Sequence, residues 1–295
     1  MPIGPKRSRG LAALSRQHPR HRYLAWRAGI ALAATLLIAA IPLAGILRID
    51  FWGGRHIVLG EEVDLVTAAK AFAFPFLAIN IVIVIVTRFW GRYLCGFACP
   101  GGALARAGEV VRYARRRRKR ILGTLGLLLG ALLLAAIVFV FWVDPAVFVA
   151  GSPSAKLKAG AFFTTLALGL FLGGRFMGLR FCRDLCPSGI YFALLGPQTR
   201  SGVEFAHPEN CTDCKLCVRV CPVDLEPREM ASGVSEARHG LYPDGLSNHA
   251  LCWRCGDCIR ACETTTGDEE TPLRMGPLSR LAGGAQEAGR AEPGH

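Results

Sequence analysis

The sequence predicts an α-helical membrane protein of four transmembrane helices, arranged as two repeated hairpins, with a small α+β module attached on the cytoplasmic side. Three observations carry this expectation. Four apolar stretches are long enough to cross a bilayer, a cysteine-bearing block recurs without a gap after the second and fourth of them, and the charge balance reverses near residue 200. The whole-chain figures agree, with 52% of 295 residues hydrophobic, 19% charged and a mean hydropathy of +0.33. Disorder needs low hydrophobicity, so that class is excluded. A net charge of +13 would suit a nucleic-acid binder, but such a protein carries its cations on a folded, soluble face. Here they flank apolar runs, and no nucleic acid is expected.

A hydrocarbon core of about 30 Å takes around 20 helical residues. Residues 28–47, 65–87, 121–143 and 157–174 are the candidates. The third has no charged residue at all, and the fourth is the shortest and holds Thr164 and Thr165. The second contains Lys70, which can snorkel to the interface, Pro75, which bends a helix, and Asn80. Asn80 reads as a helix–helix hydrogen bond, with a quinone contact as the sharper alternative. The first stretch is too long for a cleaved signal peptide and lacks its small-residue cleavage pattern, so it reads as a permanent anchor.

Orientation follows from the loops. Lys6, Arg7, Arg9, Arg16, Arg20, Arg22 and Arg27 precede the first span, and Arg88, Arg92, Arg106, Arg112 and the run from Arg115 to Arg120 follow the second. The other two loops hold Arg48, Arg55, Lys156 and Lys158. The positive-inside rule then places both termini in the cytoplasm. The basic run abuts a span, so it is a topology signal with some anionic-lipid attraction.

The block RFWGRYLCGFACPGG from Arg88 aligns with RFMGLRFCRDLCPSG from Arg175, 87 residues later. Two parallel copies of a two-helix unit would put Cys95, Cys99, Cys182 and Cys186 on one cytoplasmic side, where structural disulfides are disfavoured. Thiols four apart share a helix face, and Pro100 or Pro187 ends the turn. Four such thiolates are a candidate site for copper(I), zinc or an additional iron–sulfur centre. The plainer account is that each pair packs at a helix end or forms a transient disulfide.

Beyond Pro197, residues 200–270 hold 13 acidic against 7 basic side chains, net −6. Cys211, Cys214, Cys217 and Cys221 read C-x2-C-x2-C-x3-C-P, and Cys252, Cys255, Cys258 and Cys262 repeat the spacing with Glu263 in place of the proline. In this pattern three close thiolates hold one [4Fe–4S] cube while the fourth reaches the other cube. One cluster is therefore expected on Cys211, Cys214, Cys217 and Cys262, the other on Cys252, Cys255, Cys258 and Cys221. Zinc is the rival for C-x2-C pairs, but two matched quartets fit the ferredoxin spacing better. Glu263 is expected to alter a turn rather than ligation, and the 30 residues between Cys221 and Cys252 to form an extra loop suited to docking a partner. His207, His239 and His249 read as surface residues, because eight thiolates already satisfy two clusters. The domain plan is a basic cytoplasmic segment (1–27), a membrane domain (28–199), the two-cluster module (200–270) and a disordered tail (271–295).

The paired C-x3-C-P blocks together with the doubled ferredoxin motif resemble the membrane polyferredoxins of the NapH/MauN/NosR type, related to the CcoG/RdxA/FixG oxidase-assembly group. The resemblance covers about residues 28–262. It implies an inner-membrane iron–sulfur protein that relays electrons between the quinol pool, or a cytoplasmic donor, and a periplasmic redox enzyme or its maturation system. The implied partners are the membrane, the quinone pool and redox proteins that include a further iron–sulfur or cytochrome subunit. The chain is then an electron-transfer subunit, and no side chain is assigned a catalytic role. RYLCGFACP and IRACE also look similar to the CcoG group, which implies an alternative as a copper-handling assembly factor. A redox sensor is the third reading. His56, beside Phe51 and Trp52, reads as part of an interfacial aromatic belt and Asp144 as a helix-end residue.

Overall fold

The computed structural model describes residues 22–52, 54–114, 116–195, 201–230, 242, 246, 248–266 and 271–277. The basic segment before residue 22, Arg115, most of the expected docking loop with His239, and the tail beyond 277 lie outside the described residues.

Among the described residues, four helices are long and apolar enough to cross a membrane: α1 (Arg22–Leu43), α2 (Leu65–Trp90), α3 (Arg117–Trp142) and α4 (Pro153–Leu172), the last extended by a π turn at Gly173–Met177. Leucine, alanine and isoleucine supply both helix propensity and lipid solubility. Many of their side chains are exposed, among them Phe74, Leu129 and Leu133, as expected where lipid replaces water. Local sequence sets the ends. Asp64 caps α2 by accepting from the N–H groups of Val66 and Thr67 at 3.0 and 3.2 Å, and Ser152 caps α4 ahead of Pro153 by accepting from Ala155 N–H. Gly45, at φ +66°, ends α1, with the Ile46 N–H returning to the Ile41 carbonyl at 3.0 Å.

Helices α1 and α3 begin about a turn earlier than expected, at Arg22 and Arg117 instead of 28 and 121. Their added turns are arginine-rich, and arginine favours helix while keeping its charge at an interface. Helix α2 runs through Pro75. The Asn80 side-chain amide donates to the Phe76 carbonyl at 2.7 Å, within its own helix, in place of the helix–helix bond expected from it.

The loop between α1 and α2 is an antiparallel three-stranded meander of β1 (Leu47–Ile49), β2 (His56–Val58) and β3 (Glu61–Val63). Its second turn, Leu59–Gly60, has positive φ at both positions (+53° and +85°), the twist a two-residue hairpin needs. His56 lies in β2 and is buried, unlike a belt residue at an interface.

The described residues divide into two compact units. One comprises residues 29–83 and 99–178. Its core is a cluster of Phe139, Val143, Val147 and Ala159, where α3 packs on α4. Alanines at 131, 135 and 159 are fully buried and let the helices approach. The helix Pro100–Arg112 crosses the π turn so closely that a side chain at Gly108 would overlap the Gly174 carbonyl. At the far end of α3, Asp144 accepts from the Ala146 N–H at 2.9 Å, as a helix-end residue does, and also pairs with Arg48 of β1 at 3.0 Å.

The other unit gathers residues 22–28, 84–98 and those from 179 onward. Strands β4 (Ser201–Phe205) and β5 (Leu273–Pro277) pair antiparallel in it, with Leu273 fully buried. The module therefore does not stop at 270. Residues 273–277, expected in a disordered tail, form its closing strand because Leu273 and Met275 pair across to Phe205 and Val203.

Candidate iron–sulfur site

Two cysteine loops, each running into a short helix, build the site: the loop from Cys211 into α5 (Leu216–Val220), and the loop from Cys252 into α6 (Asp257–Thr266). They follow one backbone course. Asp213 and Arg254, each just before a second cysteine, have φ of +50° and +54°, and Lys215 and Gly256, each just after it, have +54° and +73°. The left-handed region costs a non-glycine residue about 1 kcal/mol or more, so three of these four positions hold strain that the surroundings must over-determine. Cys217 and Cys258 sit at the starts of the two helices, and Cys221 and Cys262 come one turn later.

The consequence is a crossed arrangement. One cavity is lined by Cys211, Cys214, Cys217 and Cys262, with Thr265, Thr266 and Arg228 in its wall. A second is lined by Cys252, Cys255, Cys258 and Cys221, with Trp253, Met230 and Val203 around them. Packing of Val220 against Ala261 holds α5 and α6 together. All of these cysteines are free thiols. Pro222 ends α5 behind Cys221, whereas α6 continues past Glu263 to Thr266, which is where the missing proline makes a difference.

The electrostatics are those of thiols crowded together in a dry interior. Burial pushes the Cys221, Cys252 and Cys258 thiols up, and neighbouring thiols push them further. The Cys217 and Cys262 thiols are hydrogen-bonded to one another, which lowers the one and raises the other. Backbone N–H groups already point at sulfur: Arg254 donates to Cys252 Sγ at 3.3 Å and Leu225 to Cys221 Sγ at 3.4 Å. Such bonds tune an iron–sulfur centre. The two quartets thus fit one [4Fe–4S] cluster each.

The second loop is held by residues on or beside the long helices. Arg27, on α1, donates to the Cys255 carbonyl at 3.1 Å and pairs with Asp257 at 2.9 Å. Arg92 donates to the Leu251 carbonyl at 3.3 Å and the Tyr242 hydroxyl at 2.8 Å. Gly96 lies so close to the Trp253 carbonyl that no side chain fits, and Arg183, buried, bonds Asp184 and Asp224 at 2.6 and 2.5 Å. Gly96 and Arg183 occupy the same position in the two repeated blocks, directly after Cys95 and Cys182. Each block therefore supports a segment beside the second quartet. Among the basic residues expected only to signal topology, Arg27 and Arg92 are buried here. Nothing in their immediate sequence distinguishes them from Arg88 or Arg106.

Of the four C-x3-C-P cysteines, Cys95, Cys182 and Cys186 lie in the unit that contains the module. Cys95 and Cys186 both act on the Tyr242 hydroxyl, whose pKa is pushed up to about 12 by burial first and by those two thiols, against the pull of Arg92. Cys99 belongs to the other unit, where it caps the helix Pro100–Arg112 by accepting from the Gly102 N–H at 3.4 Å. Cys99 and Cys186 share an extended conformation (φ −72°, ψ 114° and φ −67°, ψ 116°), as the following proline requires. His207 is an exposed partner of Glu209. His249 is half-buried rather than a surface residue, with its pKa lowered to about 4 by burial and by Arg254.

A family described as a 4Fe-4S binding domain matches residues 72–121, which include Cys95 and Cys99, and another of the same description matches residues 206–225. The methylamine utilization ferredoxin-type protein MauN of Paracoccus denitrificans is 28% identical over 222 residues, covering 68% of this chain and 76% of the relative. MauN of Methylorubrum extorquens is 26% identical over 172 residues, covering 54% and 57%. An uncharacterized protein of Methanocaldococcus jannaschii is 24% identical over 193 residues, covering 62% and 74%. No solved structure matches. Four apolar helices joined to 4Fe-4S binding domains define a membrane iron–sulfur protein with a role in electron transfer, carrying two [4Fe–4S] clusters. More narrowly, the chain is similar to ferredoxin-type proteins of the MauN kind.

Proposed function

We propose that this chain is a membrane electron-transfer subunit in which Cys211, Cys214, Cys217 and Cys262 hold one [4Fe–4S] cluster and Cys252, Cys255, Cys258 and Cys221 hold the other. The observation that supports this most directly is the pair of cavities, each lined by one crossed quartet. Each cluster supplies a one-electron store. The protein supplies the thiolates, the N–H bonds to sulfur and the dry, mostly apolar walls. In this reading the two hairpins are repeats, the module faces the cytoplasm, and the chain works between the quinol pool or a cytoplasmic donor and a periplasmic redox enzyme or its maturation system. A cytoplasmic module cannot by itself carry electrons across about 30 Å of hydrocarbon, so a quinone or a partner subunit completes the path.

Cys95, Cys99, Cys182 and Cys186 are proposed as a further metal or redox site. The match of a 4Fe-4S binding family to residues 72–121 supports iron–sulfur chemistry there over copper. The decisive experiment is anaerobic purification with iron, sulfide and copper analysis, followed by electron paramagnetic resonance on adding quinol. It is repeated with these four cysteines changed to serine. Two clusters require about eight irons per chain, and substantially fewer after reconstitution sinks the assignment. Copper that disappears in the serine variant while both clusters persist selects the assembly-factor reading. Clusters that change redox state but never accept electrons from quinol at a useful rate select the sensor.

A further inference from the structure

Arg92 stands three residues before Cys95 and is 1% exposed. Its guanidinium donates to the Leu251 carbonyl, to the Cys182 carbonyl at 3.5 Å and to the Tyr242 hydroxyl. It also lies over the rings of Tyr242 and Trp253, at 5.1 and 5.6 Å. All of these partners are neutral. The side chain thus places a whole positive charge in a dry interior, against the residues on either side of Cys252. Burying a cation with no anion is costly, and the missing anion has an obvious identity. A cubane held by four thiolates is negative in both oxidation states and gains one more negative charge on reduction.

The first quartet is set differently. Arg228, in its wall, is tied to both Glu226 and Asp213, so its charge is cancelled locally, and Lys215 is solvent-exposed. Cys214 is exposed, whereas Cys252, Cys255 and Cys258 are buried. Burial alone would make the second cluster the harder one to reduce, since a low dielectric disfavours added charge. Arg92 acts in the opposite sense at short range.

We propose that Arg92 sets the potential of the second cluster and makes that cluster the more readily reduced of the two. This rests on the ligation proposed above. No bond or proton changes hands, because reduction adds one electron to the cube and the charge of Arg92 stays constant. An electron entering the module then comes to rest beside the two C-x3-C-P blocks and not at the solvent-facing quartet. A charge next to an apolar span is doing redox tuning here as well as any topological duty.

The test is a redox titration of the full chain in detergent, followed by electron paramagnetic resonance, with Cys214→Ser and Cys258→Ser assigning the two signals. In the unaltered chain the signal moved by Cys258→Ser titrates at the higher potential. If it titrates at the lower, the proposal is overturned. Arg92→Gln lowers the reduced-to-oxidised ratio of that cluster at fixed potential about tenfold, a midpoint shift of about 59 mV for one electron. It leaves the other cluster unmoved, and Arg92→Lys restores most of the shift. An Arg92→Gln midpoint equal to that of the unaltered chain, or an equal shift at both clusters, refutes the role of Arg92. Should Arg92→Gln fail to assemble, the order of potentials in the unaltered chain decides alone. The iron and sulfide count separates failure of this proposal from failure of the ligation, since only the latter changes the count in the unaltered chain.

Discussion

Changing Gly96 to alanine tests how tightly the repeated block is fitted to the second cysteine loop. The added methyl carbon would stand 3.4 Å from the Trp253 carbonyl carbon and 3.6 Å from Cys255 Cα. It would stand closer still to the Trp253 oxygen, inside the 3.0 Å below which something must shift. The obstacle is backbone, so no rotamer change relieves it. Gly96 itself is buried in the short helix Tyr93–Phe97, which leaves the loop as the part that yields. Overpacking of this kind costs about 1–3 kcal/mol. The displaced peptide joins Trp253 to Arg254, whose N–H bonds Cys252 Sγ, and a metal site holds its ligand distances to about 0.2 Å. The expected result is selective. Iron falls from about eight toward four per chain, one paramagnetic signal is lost, and thermal bleaching of the surviving chromophore keeps its midpoint. Gly160→Ala, where nothing lies within 4 Å of the new carbon, is the control and should retain both clusters. Full iron content and unchanged bleaching in Gly96→Ala would refute the claim that this block buttresses the loop.

Other perturbations reach different parts of the same unit. Arg183→Met leaves Asp224 and Asp184 without their buried partner. The loss should approach the 3–5 kcal/mol of a broken buried pair, reduced because Asp184 is partly exposed, and chemical denaturation measures it. Lys215→Gly relieves a left-handed residue at the position where the other loop already has Gly256. The cluster-free chain should gain up to about 1 kcal/mol once the entropy of glycine is subtracted, and a loss would show that the Lys215 side chain matters more than its strain. His249, held neutral to about pH 4, does not bind the proton that the unfolded chain takes up below about 6.5. Stability contributed by this residue is therefore complete above pH 6.5 and declines as pH falls to 4. The decline is at most about 3 kcal/mol, less with solvent screening. His249→Asn should flatten that slope, seen as a converging difference in melting temperature between the two proteins.

The cysteine framework was legible because ligand spacing is a local property: a turn of helix and two left-handed residues suffice to bring three thiols together. The four apolar helices were legible because length alone sets them. What escaped was what depends on distant partners. Arg27 and Arg92 look like topology charges because a guanidinium beside an apolar run has the same sequence signature whether it meets lipid headgroups or the carbonyls of Leu251 and Cys255. Strand β5 was hidden because Met275 pairs with Val203, 72 positions away in the chain. The meander in the first loop was missed because its strands are three residues long and its tight turn uses Leu59–Gly60 in place of the asparagine–glycine pair that usually marks one. Gly96 carries no signal of its own, since a glycine between two cysteines is equally at home in a loose turn.

The crossed cavities also bear on how such a chain is made. Three thiols of the first quartet emerge early in synthesis, but Cys262, which completes it, lies 51 positions after Cys211. Cys221, the fourth member of the second quartet, is made well before the other three. Neither cavity can close on a half-finished module. The second quartet is complete only at Cys258 and the first only at Cys262, and a chain interrupted between Cys221 and Cys252 would be left with neither quartet complete.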